Sequence, residues 1–372
     1  MRTVGVEEEL LLVDASEGRP RSVAGRVLRA AEPEPEVQAR TGPGGSLDNE
    51  LQQQQLETDT PPRIEMAELD ADVREWRDKA IAAARQEGAR VLATGTSPMS
   101  AEPNIVHTAR FEHMVEHFGI TTSEQLTCGC HVHVSVRSED EGVGVLDRIR
   151  TWLPCLLAIS ANSPFWRGVD TRYASFRSQA MIRWPTAGPS DVFGSAENYH
   201  QLIDDMVSSG VLMDEGMVYF DTRLSHRYPT VEIRVADVCL DARDTVLLAA
   251  LCRGLVETAA AHWNDGAAPP SVPTSMLRLA MWQAGRHGVE GDLLDPTTCR
   301  PRQADEVLDQ MVEHIRPALR DCGDETLVDQ RLARVLARGS GATRQRSVLE
   351  RTGQITDVIA DVARVTAGQE SS

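Results

Sequence analysis

The stretch TVGVEEELLLV at residues 3–13 is predicted to form a strand with two different faces. Alternate side chains of a strand share a face, so Glu7 and Glu9 point one way and Glu8 points the other. Two neighbouring carboxylates are hard oxygen ligands for Mg²⁺ or Mn²⁺, and a divalent cation offsets their repulsion. A solvated acidic edge strand is the alternative, but apolar residues flank the cluster. We predict a metal site here, and an arginine partner for Glu8.

A second acidic candidate, Glu57, follows a run of glutamines. The segment LDNELQQQQLET at residues 47–58 resembles one strand with polar residues on both faces. On such a strand Gln53, Gln55 and Glu57 would share a face and could line a wet cavity floored by the sheet. An exposed edge strand explains the same pattern equally well.

A pair of histidines lies in the alternating segment LTCGCHVHVSV at residues 126–136, which is predicted to be a strand. His131 and His133 share one face, whereas Cys130 points to the other, which weakens a Cys/His zinc site. The pair suits one histidine as a ligand of a metal or phosphate and the other as its neighbour. A structural role for the pair is the alternative.

An acid and an arginine alternate with valine and isoleucine in TVEIRVAD at residues 230–237. Glu232 and Arg234 share the polar face of this predicted strand. The pairing suggests a metal ligand beside a clamp for phosphate or carboxylate. A surface ion pair on a half-exposed strand is the alternative.

Arginines are concentrated in the predicted loop between residues 162 and 183, at Arg167, Arg172, Arg177 and Arg183. Guanidinium groups bind carboxylates and phosphates through two parallel hydrogen bonds, and binding residues are often placed on loops. Ordinary surface arginines are the alternative reading of the same residues.

The composition excludes several classes of protein. Lys79 is the only lysine among 372 residues, and its helical context does not match a P-loop, a protein kinase or a pyridoxal-phosphate enzyme. The formal net charge of −18 argues against nucleic acid or an anionic membrane as partner. If the protein handles ATP, divalent cations and arginines must neutralise the phosphates.

The compartment is predicted from the cysteines and the apolar runs. Seven scattered cysteines without a CxxC motif favour reduced thiols. We see no apolar run long enough to cross a membrane and no signal-peptide layout, so we expect a cytoplasmic protein.

The order of predicted elements indicates an α+β fold. Strands are dispersed between residues 3 and 240 with helices inserted between them, and the pattern is helical from residue 241 to 372. No repeat or linker is visible, so we expect a single catalytic domain over residues 1–372.

Seven motifs in one order resemble those of a known family. The chain is similar to the glutamate–cysteine ligase superfamily and most resembles the YbdK-type carboxylate–amine ligases, also called type 2 glutamate–cysteine ligases. The matching motifs are GVEEELLLVD at 5–14, QLETDTPP at 55–62, TGTSPM at 94–99, GCHVHV at 129–134, NSPFWRGVDTRYASFRS at 162–178, RWPTAGP at 183–189 and TVEIRVADVCL at 230–240.

The resemblance implies a glutamine synthetase-like fold, in which a curved and mainly antiparallel sheet carries helices on one face and the active site on the other. It also implies roles for individual residues. Metal ligands would be Glu7, Glu9, Glu57, His131 and Glu232; ATP would be bound by His131, His133 and Arg234; substrate would be bound by Tyr173, Arg177 and Arg183. Arg177 would hold a substrate carboxylate. Arg172 stands where the family pattern leads us to expect glycine, which puts the shape of the acceptor pocket in question.

The implied activity is an ATP-dependent joining of a carboxylate to an amine through an acyl phosphate, with glutamate and cysteine as one pair of substrates. Mg²⁺ or Mn²⁺ would be the cofactor, Arg234 would assist phosphoryl transfer, and Glu57 would accept a proton from the amine. A homodimer is expected from the resemblance. Two alternatives stay open: a metal-dependent hydrolase, and a relative that binds Mg-nucleotide without catalysis.

Overall fold

The fold is built on an open antiparallel sheet. The computed structural model describes residues 1–31 and 44–369, and within them eleven strands are formed. The strands are β1 (Val4–Asp14), β2 (Ser46–Asn49), β3 (Gln55–Asp59), β4 (Ala89–Leu92), β5 (Gly129–Ser135), β6 (Phe165–Trp166), β7 (Val169–Asp170), β8 (Thr222–Leu224), β9 (Thr230–Asp237), β10 (Asp292–Leu294) and β11 (Pro301–Gln303). The main sheet has the order β2-β3-β1-β5-β9-β8, with β4 also paired to β1, and every pairing in it is antiparallel.

The central position of β1 follows from its length. Its first half pairs with β5, its middle with β3, and its last residues with β4. Val4, Val6 and Leu10 are at most 1% exposed on one face, while Glu7 and Glu9 are half-buried on the other. The predicted alternation of this strand is therefore confirmed, and it divides the sheet into an apolar face and a polar face.

Helices cover the apolar face of the sheet and extend the core beyond it. Those in the first two thirds of the chain are α1 (Ala24–Ala31), α2 (Met66–Gln86), α3 (Ala109–Phe118), α4 (Ile120–Ser123), α5 (Glu139–Ile149), α6 (Leu153–Ser160), α7 (Phe176–Met181), α8 (Ala196–Ser208) and α9 (Ala242–Asn264). The remaining helices are α10 (Thr274–His287), α11 (Ala304–Cys322), α12 (Glu325–Arg338), α13 (Gly341–Thr352) and α14 (Ile355–Thr366). The α+β prediction is confirmed.

The long helix α9 lies at the centre of this layer. It contacts α2, α5, α11, β1 and β5, and Val246, Leu247 and Leu251 are all fully buried. Burying each such side chain contributes about 1.5–3 kcal/mol. By length and hydropathy alone, α9 would suffice to cross a membrane. The prediction that the chain contains no apolar run of that length is therefore wrong for this helix. However, 78% of its most apolar window is buried inside the protein, as is typical of a core helix.

The C-terminal helices share a core with the sheet. One cluster of buried side chains runs from Val4 and Val132 on the sheet to Leu308 and Leu332 on α11 and α12. A second cluster joins Leu10 to α14. The strand-bearing and helical parts of the chain thus pack on each other directly.

Glu8 finds the expected arginine partner on the apolar face. Arg77 of α2 donates from Nε and Nη2 to the two carboxylate oxygens of Glu8, at 2.8 and 2.7 Å, and the hydroxyl of Thr245 donates to the same group at 2.6 Å. Both charged side chains are about 2% exposed. A buried pair of this kind needs all its hydrogen bonds, since an unpartnered charge there would be costly.

The prediction of a single strand over residues 47–58 is wrong. The segment forms β2 and β3, which pair antiparallel with Asp48 opposite Glu57. The glutamines between them are held by other backbone segments: the side-chain amides of Gln53 and Gln55 donate to the carbonyls of Ile105 and Thr127 at 2.8 and 2.7 Å. A wet cavity lined by these glutamines is therefore not what the structure shows.

Candidate active site

The ladder of the sheet brings the two glutamates of β1 next to the other candidates. Glu7 lies opposite His131 of β5, and Glu9 lies opposite Glu57 of β3. Opposite residues of an antiparallel pair project from the same face with their Cβ atoms about 5 Å apart. Side chains that are distant in sequence therefore meet on the polar face of the sheet.

The two histidines are held by Glu7. Nδ1 of His131 is 3.3 Å from one carboxylate oxygen of Glu7, and Nε2 of His133 is 3.1 Å from the other. The hydroxyl of Thr230 lies 3.0 Å from Nδ1 of His133. Cys130 is fully buried in the core on the opposite face, in agreement with the predicted orientation. The imidazoles thus stand between the carboxylates rather than beside a thiol.

Glu232 of β9 joins the same group and is bound by two arginines. Arg223 donates from Nε and Nη2 to its carboxylate at 2.8 and 3.2 Å, and Arg234 also contacts it. His131 is 4.0 Å away. Glu232 and Arg234 do form an ion pair, but it is buried in the site, so the alternative of a surface pair on a half-exposed strand is wrong. Arg223 was not predicted from the sequence; the turn between β8 and β9 places it directly opposite Glu232.

A further carboxylate, Glu50, was not anticipated. It lies in the turn after β2, where its carboxyl group lines the same cavity as Glu57 and Glu9 and raises the pKa of both. Glu9 itself accepts a hydrogen bond from the backbone N–H of Gly129 at 2.6 Å. Glu9, Glu50 and Glu57 thus form a second acidic group beside that of Glu7 and Glu232. Glu50 could not be found from strand periodicity, because it lies outside both strands. It reaches the site only through the turn between β2 and β3.

These residues line one cavity of about 880 Å³, which we call the acidic cavity. Its wall contains Glu7, Glu9, Glu50, Glu57, Arg110, His131, His133, Asp214, Glu215, Arg223, Arg227, Glu232 and Arg234 together with Phe111 of α3, Val207 of α8, and Met213, Tyr219 and Tyr228 from the segments before and after β8. It therefore has three more carboxylates than arginines. This excess of negative charge would repel a triphosphate unless cations accompany it.

The carboxylates of the acidic cavity fall into two classes by the direction in which their pKa values are shifted. Burial alone would raise the pKa of Glu7, but the imidazoles of His131 and His133 hold that pKa below its ordinary value. For Glu232, burial is likewise outweighed by Arg234 and Arg223, so its pKa is also lowered. In contrast, burial raises the pKa of Glu9. The pKa is thus lowered for Glu7 and Glu232 and raised for Glu9, on the same face of the sheet.

Glu57 has the most unfavourable surroundings for a charge. Burial, and then the negative charges of Glu50, Glu7 and Glu9, raise its pKa well above the ordinary value. Like charges that share a buried site disfavour ionisation, and a bound cation removes this cost.

The donor set fits a divalent cation. Ligand atoms of Glu7, His133 and Glu232 all lie within 4.8 Å of one another. Nε2 of His131 is buried without a hydrogen bond among the described residues, and so is Nε2 of His133, whose 3.1 Å approach to Glu7 lacks hydrogen-bonding geometry. Carboxylate oxygens with one or two imidazoles suit Mg²⁺ or Mn²⁺. The residues that would hold such ions are those of the two acidic groups and the histidines between them.

A second cavity, of about 540 Å³, adjoins the first and contains Arg177 and Arg183; we call it the arginine cavity. Arg234 and Tyr219 line both cavities. Arg177 is 4% exposed, and its Nε has no hydrogen-bond partner among the described residues. Arg183 is paired with Glu124 at 3.2 Å. Of these two arginines, only Arg177 is left without an ion pair in the described part of the chain.

Two other loop residues lie outside both cavities. The ring of Tyr173 packs against Phe176 and Trp282, so it supports the rim of the arginine cavity without lining it. Arg172 has a φ of +66°, a left-handed conformation that glycine adopts without strain. This explains why glycine is expected at position 172.

The chain matches the model of glutamate–cysteine ligase family 2 over residues 3–364. A Streptomyces avermitilis protein provisionally named glutamate–cysteine ligase 2-1 is 50% identical over 371 residues, which are 99% of this chain and 100% of that protein. A Streptomyces coelicolor protein provisionally named glutamate–cysteine ligase 2 is 48% identical over 369 residues, 98% of this chain and 99% of that protein.

Solved structures show the same fold at low sequence identity. The glutamate–cysteine ligase of Francisella tularensis in complex with AMP has a TM-score of 0.69 at 14% identity, with 99% of this chain and 88% of that chain covered. A bifunctional glutathione synthetase from Pasteurella multocida has a TM-score of 0.67 at 16% identity, with 99% of this chain and 52% of that chain covered. The family match across nearly the whole chain and the two close relatives lead to one conclusion: this protein belongs to glutamate–cysteine ligase family 2.

Proposed function

We propose that this ligase joins a carboxylate to an amine at the expense of ATP, with an acyl phosphate as intermediate. The observation that carries the proposal is the convergence of Glu7, Glu9, Glu57 and Glu232 with two histidines in one cavity. The only lysine of the chain is not in a P-loop, so cations and arginines must bind the phosphates of ATP. This cavity supplies ligands for the cations and also Arg234.

In the first step, an oxygen of the donor carboxylate attacks the γ-phosphorus of ATP, and the bond from that phosphorus to ADP breaks. We assign Arg234 to this point, because it lines both cavities and is fixed by Glu232. Its pKa is raised: burial acts against the charge, but Glu232, Glu9 and Glu7 outweigh it. The guanidinium therefore stays charged and stabilises the negative charge that develops. Divalent cations, when bound, would add positive charge against the same phosphoryl oxygens.

In the second step, the amine nitrogen attacks the carbonyl carbon of the acyl phosphate, inorganic phosphate leaves, and an amide remains. The amine loses a proton in this step. A buried carboxylate such as Glu57, with its pKa raised by burial and by Glu50, is suited to receive that proton. His131 and His133 would contact the phosphates, and Arg177 would hold a substrate carboxylate. Glutamate as donor and cysteine as acceptor, the pair in the relatives' names, are the substrates to test first.

A coupled assay of ADP release tests this proposal. The purified chain is given Mg-ATP, glutamate and a panel of amino acids and amines, and ADP, phosphate and amide are measured. Stoichiometric ADP and amide support the proposal. Turnover of an amide or ester without ATP would instead indicate a metal-dependent hydrolase. Binding of Mg-ATP without ADP release for any amine would indicate a non-catalytic relative.

The assay also tests the metal ligands. Substituting Glu9→Gln should lower ADP release at least a hundredfold at fixed Mg²⁺. Near-normal turnover of this variant would refute its role as a ligand.

A further inference from the structure

A cavity of about 430 Å³ lies among the helices that cover the apolar face of the sheet; we call it the histidine cavity. Its wall is formed by the end of α5, the start of α6, one side of α9 and α11, and the loops before α10 and β11. None of its lining residues belongs to the acidic or the arginine cavity. Its volume is in the range of small-molecule sites, and the proposed ligase reaction makes no use of it.

The titratable groups of the histidine cavity can carry only positive charge. Arg148, His262 and His314 line it, and no aspartate or glutamate of the described residues does. Such a wall is unexpected by chance in a chain with 56 acidic and 38 basic residues. A cavity walled by groups of one sign attracts ligands of the opposite sign, so this wall favours an anion.

The acidic residues next to the wall in sequence are engaged elsewhere. The carboxylate of Asp147 accepts hydrogen bonds from two backbone N–H groups of the loop before α8, at 2.8 and 2.9 Å. Asp295 is paired with Arg302 at 3.0 Å, and Glu313 with Arg316 at 2.8 Å. These carboxylates therefore leave the positive charge of the cavity unneutralised.

Arg148 has only backbone partners. Its Nη1 donates to the carbonyl of Gly144 at 2.7 Å, and its Nη2 donates to the carbonyl of Ala267. Its Nε is buried without a hydrogen bond, and no carboxylate of residues 1–31 or 44–369 lies within ion-pair distance. Burial lowers the pKa of Arg148, and the charge of Asp147 offsets this only in part. A guanidinium has five N–H donors, so an oxyanion would supply both a charge and acceptors that the protein does not.

Hydroxyl groups lie beside this guanidinium. The side chains of Thr151, Ser271 and Thr297 line the cavity, and their hydroxyls make no hydrogen bond within the described part of the chain. A hydroxyl and an imidazole N–H can each donate to an oxyanion. The wall thus offers several neutral donors around one fixed positive charge.

Flat ring systems form much of the remaining wall. The rings of Trp152 and His314 are stacked, with centroids 5.1 Å apart and planes inclined by 26°. The ring of His262 meets that of His314 edge-on at 5.6 Å, and Pro270 and Pro296 also line the cavity. Aromatic rings pack favourably on such surfaces, either face to face with an offset or edge to face. The apolar part of a ligand here is therefore best matched by an aromatic ring.

We propose that the histidine cavity binds an aromatic compound that carries an oxyanion, with the oxyanion on Arg148 and the ring against His314 and the prolines. A phosphate and a carboxylate both have the required oxygens, since each accepts charge-assisted hydrogen bonds from a guanidinium. The site is separate from the proposed ligase reaction, so either can exist without the other.

Calorimetric titration in EDTA, without ATP, tests the proposal. Phenyl phosphate and benzoate are the probes; inorganic phosphate lacks the ring, and benzylamine carries the opposite charge. The wild type should bind one of the two probes at least tenfold more tightly than inorganic phosphate and benzylamine. The tighter probe identifies the head group as phosphate or carboxylate. Arg148→Gln should weaken that probe at least tenfold.

A second variant leaves the guanidinium in place. Ala268 is an exposed residue of the wall, and Ala268→Trp should fill the cavity and weaken the probe at least tenfold. If Arg148→Gln fails to fold because the Ala267 carbonyl loses its donor, Ala268→Trp alone decides. The matched control is Arg278→Gln, which removes an arginine that lines the arginine cavity and should bind the probe within twofold of the wild type.

Three results overturn the proposal. The first is a wild type that binds neither probe more tightly than inorganic phosphate and benzylamine. The second is wild-type affinity in Ala268→Trp or in a folded Arg148→Gln. The third is a loss of affinity in Arg278→Gln, which would place the anion in the arginine cavity. None of these measurements involves ADP release, so failure of the proposed ligase function leaves their outcome unchanged.

Discussion

The guanidinium of Arg177 occupies the space that a side chain at Gly129 would need. A Cβ atom at position 129 would lie 2.2 Å from Nη2 of Arg177, far inside any allowed contact. The backbone N–H of the same glycine donates to Glu9. Gly129 therefore stands between the two cavities: its backbone positions a carboxylate of one, and its missing side chain leaves room for the arginine of the other.

Substituting Gly129→Ala should displace Arg177. We expect the KM for the amino-acid substrate to rise tenfold or more and the KM for ATP to change less than threefold, because the arginine cavity is affected first. The strain should reduce the free energy of unfolding by about 1–3 kcal/mol. Steady-state kinetics with each substrate varied in turn, and urea unfolding, provide the measurements. The control is Gly25→Ala in α1, where the added Cβ meets nothing closer than 3.8 Å. An unchanged amino-acid KM in Gly129→Ala would contradict the placement.

Glu57→Gln should separate stability from activity. Burial and the charges of Glu50, Glu7 and Glu9 raise the pKa of Glu57, so removing its charge relieves repulsion when no cation is bound. We expect the variant in EDTA to gain about 0.5–2 kcal/mol in unfolding free energy, and its ADP release in Mg²⁺ to fall at least a hundredfold. Glu197→Gln, an exposed site in α8, serves as control and should change neither. A variant that is less stable in EDTA would argue against repulsion in the empty site.

The Glu8–Arg77 ion pair should behave as one unit. Removing one partner by Arg77→Met leaves a buried carboxylate without its cation and should cost about 3–5 kcal/mol. The double variant Glu8→Leu/Arg77→Met should cost clearly less than the sum of the two single variants, since neither charge is left alone. Urea unfolding of all four proteins gives the coupling energy. Additive costs would mean that the two charges do not depend on each other for stability.

The pKa of Asp221, raised by burial to about 7 from an ordinary value of 3.8, predicts the pH dependence of stability. Between these two values the folded state binds the proton more strongly than the unfolded chain, so the unfolding free energy falls as pH rises through this window. Asp221→Asn lacks that titration. Relative to wild type, the variant should therefore be more stable at pH 8 than at pH 5, by about 2.5 kcal/mol. Urea unfolding at both pH values measures this difference. A difference that is the same at both pH values would show that Asp221 does not titrate in this range.

Local periodicity was enough to identify most of the polar face of the sheet. In β1, β5 and β9 the alternation of apolar and polar residues assigns Glu7, His131 and Glu232 to one face, because successive side chains of a strand must point to opposite sides. The structure places all three in the acidic cavity. Ser195 caps α8 by accepting a hydrogen bond from the backbone N–H of Asn198, as a serine directly before a helix commonly does. Pro154 lies in the first turn of α6 and separates that helix from α5, because proline is tolerated at the start of a helix and not in its interior.

The sequence by itself determined which residues can share a strand face, because that property depends only on the period of the backbone. Tertiary structure alone decided which faces meet. Glu50 enters the site through a turn, Arg223 through the register of β8 on β9, and Asp221 shares a cavity with Arg278 only because α10 packs on α6 and α7. Register and packing arise from contacts between residues far apart in the chain, so no local pattern records them.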